Sequence, residues 1–280
     1  VRITLAQVDV RLGDLEANLA TAERVIDEAL EQDTDLIVFP ELHISGYTVG
    51  EVDADLSMEP EDSRLIALSK RAGRAGVLLG FVEAGRGIHT YNSAGHYVDG
   101  SLLHLHRKLY LPTYAGFEER KYFTPGPSLR AYDTPHGRMA TMICNDAWQP
   151  PLAFIATQDG ARVLLVPTAS AQSNFPDRYD STSYWHGITR FYGRMFQLYV
   201  VFVNRVGDES GLRFWGGSHI IDPWGDVLAE APLLAEQVVT AEVDLGQVRR
   251  RRREIPLVKE ARLGMIQREV ARLVDEGGDL

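Results

Sequence analysis

The chain has 280 residues, 29 basic against 39 acidic for a formal net charge of -10, 45% hydrophobic residues and one cysteine. That size and apolar content suit a globular protein burying about 75% of the surface its unfolded chain exposes, exclude disordered and collagen-like chains, and the acidic balance disfavours nucleic acid, whose phosphates need a positive face. One cysteine makes neither an internal disulfide, nor a dithiol redox pair, nor a multi-thiolate zinc site, so Cys144 is either packing or a reagent.

The opening segment VRITLAQVDV lacks the basic start, long apolar stretch and small-residue cleavage site of a secretion signal. No apolar run approaches the ~20 residues that span a bilayer, so no membrane partner is expected and cytoplasmic residence is the expectation. Ile3 to Val8 is rich in strand formers. Gly13-Asp14 then supplies a turn and a helix N-cap, and Leu15, Leu19, Ala22, Ile26, Ala29 and Leu30 recur at helical spacing. Leu36 to Phe39 is short and wholly apolar, as a strand covered on both faces should be. A helix from about Glu61 to Gly73 leads into a strand at 77–82, and Asp99-Gly100 sits between runs 93–98 and 101–106 as a tight hairpin turn requires.

The second half repeats this order. A strand is expected at 138–143, a helix after Pro150-Pro151, a strand at Val163 to Val166, a helix around 183–197 and a strand at Val200 to Val203. Two more strands flank Asp222-Pro223-Trp224-Gly225, and a charged amphipathic helix begins near Leu257. No linker or low-complexity segment divides the chain, which implies one domain. Helices alternating with both crossovers and hairpins imply an α/β layered sandwich with mixed sheets, leaving open whether there is one sheet or two.

Three polar residues stand just beyond expected strand ends. Glu41 follows IVFP, Lys108 follows LHLHR, and Cys144 closes MATMIC before NDAWQPP. Side chains at strand C-termini of α/β folds meet in one crevice, and a carboxylate, an ammonium and a thiol form an acyl-transfer set. Glu41 would take the thiol proton, Cys144 attack a carbonyl or nitrile carbon, and Lys108 hold the negative charge that develops. Against this stand plainer readings: a small buried thiol, a Pro-Glu turn and one solvated lysine among many.

Several rival chemistries are available. His43, His106 and His136 offer an imidazole base for a Cys-His enzyme. Gly216-Gly217-Ser218-His219-Ile220 lacks the closing glycine of a serine nucleophile elbow. His104 and His106 alternate on one strand, but no HExxH or carboxylate-His motif accompanies them, so no metal is expected. Glycines 73, 76, 80, 85 and 87 fit neither phosphate-binding fingerprint. The run Arg249 to Arg253 is expected to be a solvated segment or a subunit contact.

Local sequence adds a resemblance. LIVFPELHISGY, HRKLYLPTYAGFEERKYFTPG and ICNDAWQP, followed by ARVLLVPTAS and WGGSHIIDPWGDVL, resemble in order the motifs of the nitrilase, or carbon-nitrogen hydrolase, superfamily. The resemblance covers roughly residues 2 to 256. It implies Glu41 as general base, Lys108 as catalytic lysine and Cys144 as nucleophile, with the Asn145 backbone amide as second oxyanion donor. A second glutamate that positions the lysine falls on Glu119 rather than Glu118, from the spacing to Tyr122-Phe123. In the late hairpin Gly217, Ser218, Asp222, Pro223 and Gly225 stand in the expected places. Tyr47, Tyr114, Trp148, Ser170 and Phe175 neighbour these motifs as candidate substrate-binding residues, and segments 43–60, 112–122 and 169–180 are expected to set specificity.

The resemblance further implies a four-layer α-β-β-α sandwich of two mixed sheets, with residues 1–256 as the hydrolase domain and 257–280 as a helical extension of it. It implies a homodimer or larger assembly, no cofactor, and hydrolysis of a non-peptide carbon-nitrogen bond in a small amide or nitrile, a primary carboxamide first. Nitrilase, N-carbamoylase and glutaminase chemistry are the alternatives, the last because PELHISGY and CNDAWQP also look like the glutaminase part of glutamine-dependent NAD synthetases. A catalytically silent ligand-binding or interaction protein is the alternative outside enzymes. Two departures bear on the subfamily: Pro150-Pro151 stands where the family continues Pro-Glu, and Arg194 is followed by Gln197 and Leu198 rather than Glu-Asn.

Overall fold

A computed structural model of the chain describes residues 1–113, 117–173 and 177–278. Its first half runs β1 (Arg2–Gln7), α1 (Leu15–Leu30), β2 (Leu36–Val38), α2 (Ser63–Ala72), β3 (Gly76–Ala84), β4 (Thr90–Val98), β5 (Ser101–Arg107) and the single turn α3 (Glu119–Tyr122). The second runs β6 (Ala131–Thr134), β7 (Gly137–Thr141), α4 (Pro150–Gln158), β8 (Val163–Thr168), α5 (Ser181–Phe196) and β9 (Tyr199–Asn204). There follow β10 (Val206–Glu209), β11 (Leu212–Trp215), β12 (His219–Ile221), β13 (Val227–Glu230), β14 (Gln237–Glu242), α6 (Leu245–Glu254) and α7 (Leu263–Asp275).

Two six-stranded mixed sheets result, in the orders β14-β1-β2-β3-β4-β5 and β13-β12-β9-β8-β7-β6, with β10-β11 as a separate hairpin. The layering follows from period-two alternation along strands that are mostly apolar and almost wholly buried. Ile3, Leu5, Leu36, Val38 and Leu78 of the first sheet face Val163, Leu165, Val201, Val203 and Ile220 of the second in one buried cluster. The alternate residues Ile37, Phe39, Leu79 and Phe81 pack on Val25, Ile26, Leu65 and Leu68 of α1 and α2. On the far side Leu164, Val166, Val200 and Phe202 meet Ala153, Ala156, Trp185 and Tyr192 of α4 and α5. The four layers are therefore α-β-β-α, and the central strands are almost continuously buried and largely apolar because both their faces are covered.

Local signals behave as their chemistry dictates. Asp14 Oδ1 accepts the Ala17 amide at 3.0 Å and opens α1. Asp99 and Gly100 take φ of +50° and +75°, the paired left-handed conformation of a tight hairpin, and set Val98 opposite Ser101. Residues Arg249 to Arg253, expected as a solvated or intersubunit segment, end α6 with Arg249, Arg250 and Arg253 exposed, and their positive charge complements the helix C-terminus. Arg252 turns inward and its Nη2 donates to the carbonyls of Ala161 at 2.9 Å and Phe196 at 3.3 Å. The last helix begins at Leu263 rather than near Leu257.

Four histidines, His43, His96, His106 and His219, are at most 2% exposed. Burial pushes the imidazoles of His43, His96 and His219 down to about 3. Below the ordinary value near 6.5 the unfolded chain takes up protons that these folded sites refuse, so stability is lost as pH falls from there towards 3. At pH 5 the penalty is about 2 kcal/mol for each such group. The urea midpoint is expected to drop between pH 7 and pH 5, and the drop is expected to be smaller in His43→Leu; equal drops in both proteins would show that His43 does not carry it.

Candidate active site

The structure brings the ends of the two sheets together at one cleft. Glu41 lies three residues past β2, Lys108 one past β5, Cys144 three past β7 and Ala169 one past β8. Glu41 can leave its sheet there because residue 80 on β3 is glycine: a Cβ would stand 2.5 Å from both the Pro40 carbonyl and the Leu42 amide. Leu42 and Cys144 both hold φ above zero, at +50° and +45°, a conformation costly for side chains with a Cβ. The chain is thus strained beside the carboxylate and at the thiol itself.

Lys108 is buried, and its Nζ donates to Oε1 of Glu41 and to Oε1 of Glu119, each at 2.6 Å. Each carboxylate is held from other directions. Asn92 Nδ2 donates to Glu41 Oε1 at 2.7 Å and the Ala169 amide to its Oε2 at 2.8 Å. Tyr47 Oη donates to Glu119 Oε1 at 2.5 Å. Glu118, the adjacent alternative, points outward with 68% of its side chain exposed and pairs with Lys121. Burial, opposed by the Lys108 charge, raises the Glu119 carboxyl to about 7. Lys108 is pushed well above its ordinary value, the two carboxylates outweighing burial.

Cys144 opens on this cluster. Burial and then the Glu41 charge raise its thiol well above the ordinary range, while Lys108 and the Ala169 amide pull it down. The resting sulfur is therefore a thiol rather than a thiolate, so neighbours that promise activation in sequence do not ionise it in advance. It lines a cleft of about 410 Å³ together with Tyr47, Phe117, Asn145, Trp148, Ser170, Tyr179, Trp185 and Leu212. Tyr114 and Phe175 lie outside the described residues.

The elbow bearing Cys144 is pinned by a residue that sequence reasoning passed over. Asp146 is fully buried; its Oδ1 accepts the amides of Leu109 and Tyr110, both at 2.9 Å, and its Oδ2 the amide of Ile143 at 3.0 Å. His106 Nε2 lies 2.9 Å from the same Oδ2. One carboxylate thereby ties the segment after Lys108 to the turn carrying the thiol. Arg205 and Glu209 play a similar part for Tyr47: Glu209 Oε1 accepts the amides of Tyr47 at 2.9 Å and Thr48 at 2.7 Å, and its Oε2 accepts from Arg205 at 2.5 Å.

With this geometry stands a match in sequence: the carbon-nitrogen hydrolase profile covers residues 2–253. The chain belongs to the carbon-nitrogen hydrolase family. It is 30% identical over 271 residues to the omega-amidase NIT2 of Danio rerio, covering 93% of this chain and 95% of that protein. It is 31% identical over 252 residues to the glutamine-dependent NAD(+) synthetase of Thermotoga maritima, covering 88% of this chain. The chain spans 42% of the length of that synthetase. The crystal structure of a carbon-nitrogen hydrolase from Helicobacter pylori G27 superposes with a TM-score of 0.87 at 26% identity, over 96% of this chain and 98% of the other.

Within this family frame the rival chemistries lose their geometry. His43 faces Phe39 with ring centroids 4.7 Å apart, away from the cleft lining, and burial keeps it neutral. His106 is engaged by Asp146, and His104 stacks on Tyr132 at 3.9 Å. Ser218 is buried, its Oγ donating to the Asn204 carbonyl at 3.1 Å. His186, His219 and Glu230 bring three potential ligand atoms within 4.8 Å of one another. Both ring nitrogens of His219 are already engaged, however, by Thr189 Oγ1 and the Gly217 carbonyl at 2.8 Å. The two departures from the family pattern fall at helix ends. Pro151, where the family has Glu, is the second residue of α4, and its missing N–H is one that would have no intrahelical partner to lose. Gln197 takes the left-handed cap of α5 and donates to the Ile255 carbonyl at 2.8 Å.

Asp146→Ala removes the acceptor of three backbone amides and the partner of the buried His106, and is expected to cost about 3 kcal/mol or more. Urea unfolding checks this; a loss under about 1 kcal/mol would show that the elbow does not depend on the carboxylate.

Proposed function

We propose that the protein hydrolyses a primary carboxamide through a thioester on Cys144, releasing ammonia. The observation that carries this reading is Lys108 Nζ 2.6 Å from two buried carboxylates at the base of the cleft that Cys144 lines. As Sγ bonds to the amide carbon, its proton passes to Glu41, which suits a resting thiol that needs a base at the moment of attack. The former carbonyl oxygen becomes an oxyanion facing the Lys108 ammonium and the Asn145 backbone amide. Glu41 returns the proton to the nitrogen, the C–N bond breaks and ammonia leaves. Water then gives a proton to Glu41 and attacks the thioester carbon; the C–S bond breaks and the sulfur is reprotonated, freeing the carboxylic acid. Glu119 and Tyr47 act by positioning Lys108, while Trp148 and Ser170 line the acyl side.

We assign this chemistry to residues 1–256, with 257–280 as an appended helical segment. No helix of the described residues is long and apolar enough to cross a membrane. A free catalytic thiol suits a reducing compartment, and we place the protein in the cytoplasm. We also propose self-association through α4 and α5, where Ile155, Tyr184, Phe191 and Met195 are each more than 40% exposed. Phe191→Glu is expected to convert a dimer to a monomer in sedimentation velocity; a parent that already sediments as a monomer contradicts the assembly.

Cys144→Ala is expected to abolish ammonia release, and Lys108→Met to lower kcat by roughly 100-fold to 1000-fold as an oxyanion partner is lost. Mass spectrometry of acid-quenched enzyme with a carboxamide is expected to show an acyl adduct on Cys144. Full turnover in Cys144→Ala would overturn the mechanism. A panel containing an amide, a nitrile and a carbamoyl compound separates the related chemistries, because the carbamoyl compound also releases carbon dioxide.

A further inference from the structure

Ionisable side chains are unevenly spread around the cleft. Those at its base are already paired, Glu41 with Lys108, Asn92 and Ala169, and Glu119 with Lys108 and Tyr47. Beyond Cys144, the lining among the described residues carries no Asp, Glu, Lys, Arg or His. Segments 114–116 and 174–176, outside the described residues, read Tyr-Ala-Gly and Asn-Phe-Pro and contain none of these residue types. Asp180 at the edge is committed to α5, accepting the amides of Thr182 at 3.1 Å and Ser183 at 3.2 Å.

What the walls offer is mainly aromatic and aliphatic surface, with Asn145, Ser170, Gln172, Ser173 and Ser181 as uncharged polar groups among it. Trp148 meets Tyr179 at 5.9 Å, stacks parallel to Tyr184 at 5.8 Å and takes the edge of Trp185 at 5.7 Å. Across the cleft Tyr47 and Phe117 pack edge to face at 5.8 Å, with Leu212 beside them. An ammonium or carboxylate on the acyl chain would leave water here without a counter-charge, which is costly in a desolvated site, whereas an alkyl or aryl chain is favoured by each apolar contact.

We propose that the acyl half of the substrate is uncharged and apolar, and that the site discriminates against amides whose acyl chain carries an ammonium or a carboxylate. The proposal rests on the amide-hydrolysis reading above. It sets this chain apart from an enzyme for glutamine, whose amide sits at the end of a chain bearing both charges.

The test uses chains of matched length: hexanamide, 6-aminohexanamide and adipic acid monoamide, with propionamide as a short control, read as kcat/KM for ammonia release at pH 7.5. Hexanamide is expected to exceed both charged compounds by about 100-fold or more. Gln172→Glu, which adds a carboxylate to the cleft wall, is expected to raise the ratio of 6-aminohexanamide to hexanamide by about tenfold. Equal turnover of either charged amide overturns the proposal, and so does a preference for the ammonium, which would mean that ring faces hold a cation. If propionamide is cleaved but hexanamide is not favoured, the amide reading stands and the acyl class falls. If no amide releases ammonia and none leaves an adduct on Cys144, the amide reading fails and takes the acyl class with it.

Discussion

A buried ammonium between two buried carboxylates is the constraint around which the rest of the structure is arranged. Lys108 is cut off from bulk solvent, and its charge is sustained by Glu41 and Glu119, each of which accepts from it at 2.6 Å. The carboxylates in turn need donors of their own, and find them in Asn92, the Ala169 amide and Tyr47. Burial, helped by the Glu41 charge, explains two shifts at once. It raises the Glu119 carboxyl against the pull of Lys108, and it raises the neighbouring Cys144 thiol.

Holding that cluster requires both sheets. Glu41 and Lys108 come from loops of the first sheet, Cys144 and the Ala169 amide from loops of the second. The shared core between the sheets sets their separation, and Asp146 ties one loop set to the other at their tips. The strained backbone at Leu42 and Cys144 is tolerated because neighbouring structure over-determines it: Gly80 gives the first segment room, and the Asp146 carboxylate clamps the second.

The division between a charged base and an uncharged wall assigns distinct tasks to one cleft. On the proposed reading, charge is confined to the end where the bond would break, and recognition falls to the uncharged, largely aromatic wall. Tyr47 stands at the boundary, with its hydroxyl on Glu119 and its ring against Phe117. The buried pair Arg205 and Glu209 holds its backbone from behind, so a network outside the cleft sets the position of one of its walls.

Sequence alone determined the elements whose physics is local. Alternating and helical apolar periods, the Asp14 cap, the Asp99-Gly100 turn and the strand-end positions of Glu41, Lys108 and Cys144 could all be read there, because each depends on residues within one or two turns of chain. Family motifs carried the reading further, to Glu119 over Glu118 and to two sheets where periodicity left the number open. Tertiary structure decided the partners. Asn92 reaches Glu41 across 51 residues and Ala169 across 128, and nothing local marks either. His106, a candidate base in sequence, became an anchor for Asp146, and Arg252 left a charged run to close helix-end carbonyls. A polar side chain's role depends on which donors and acceptors burial places against it, and that is a property of packing rather than of chain order.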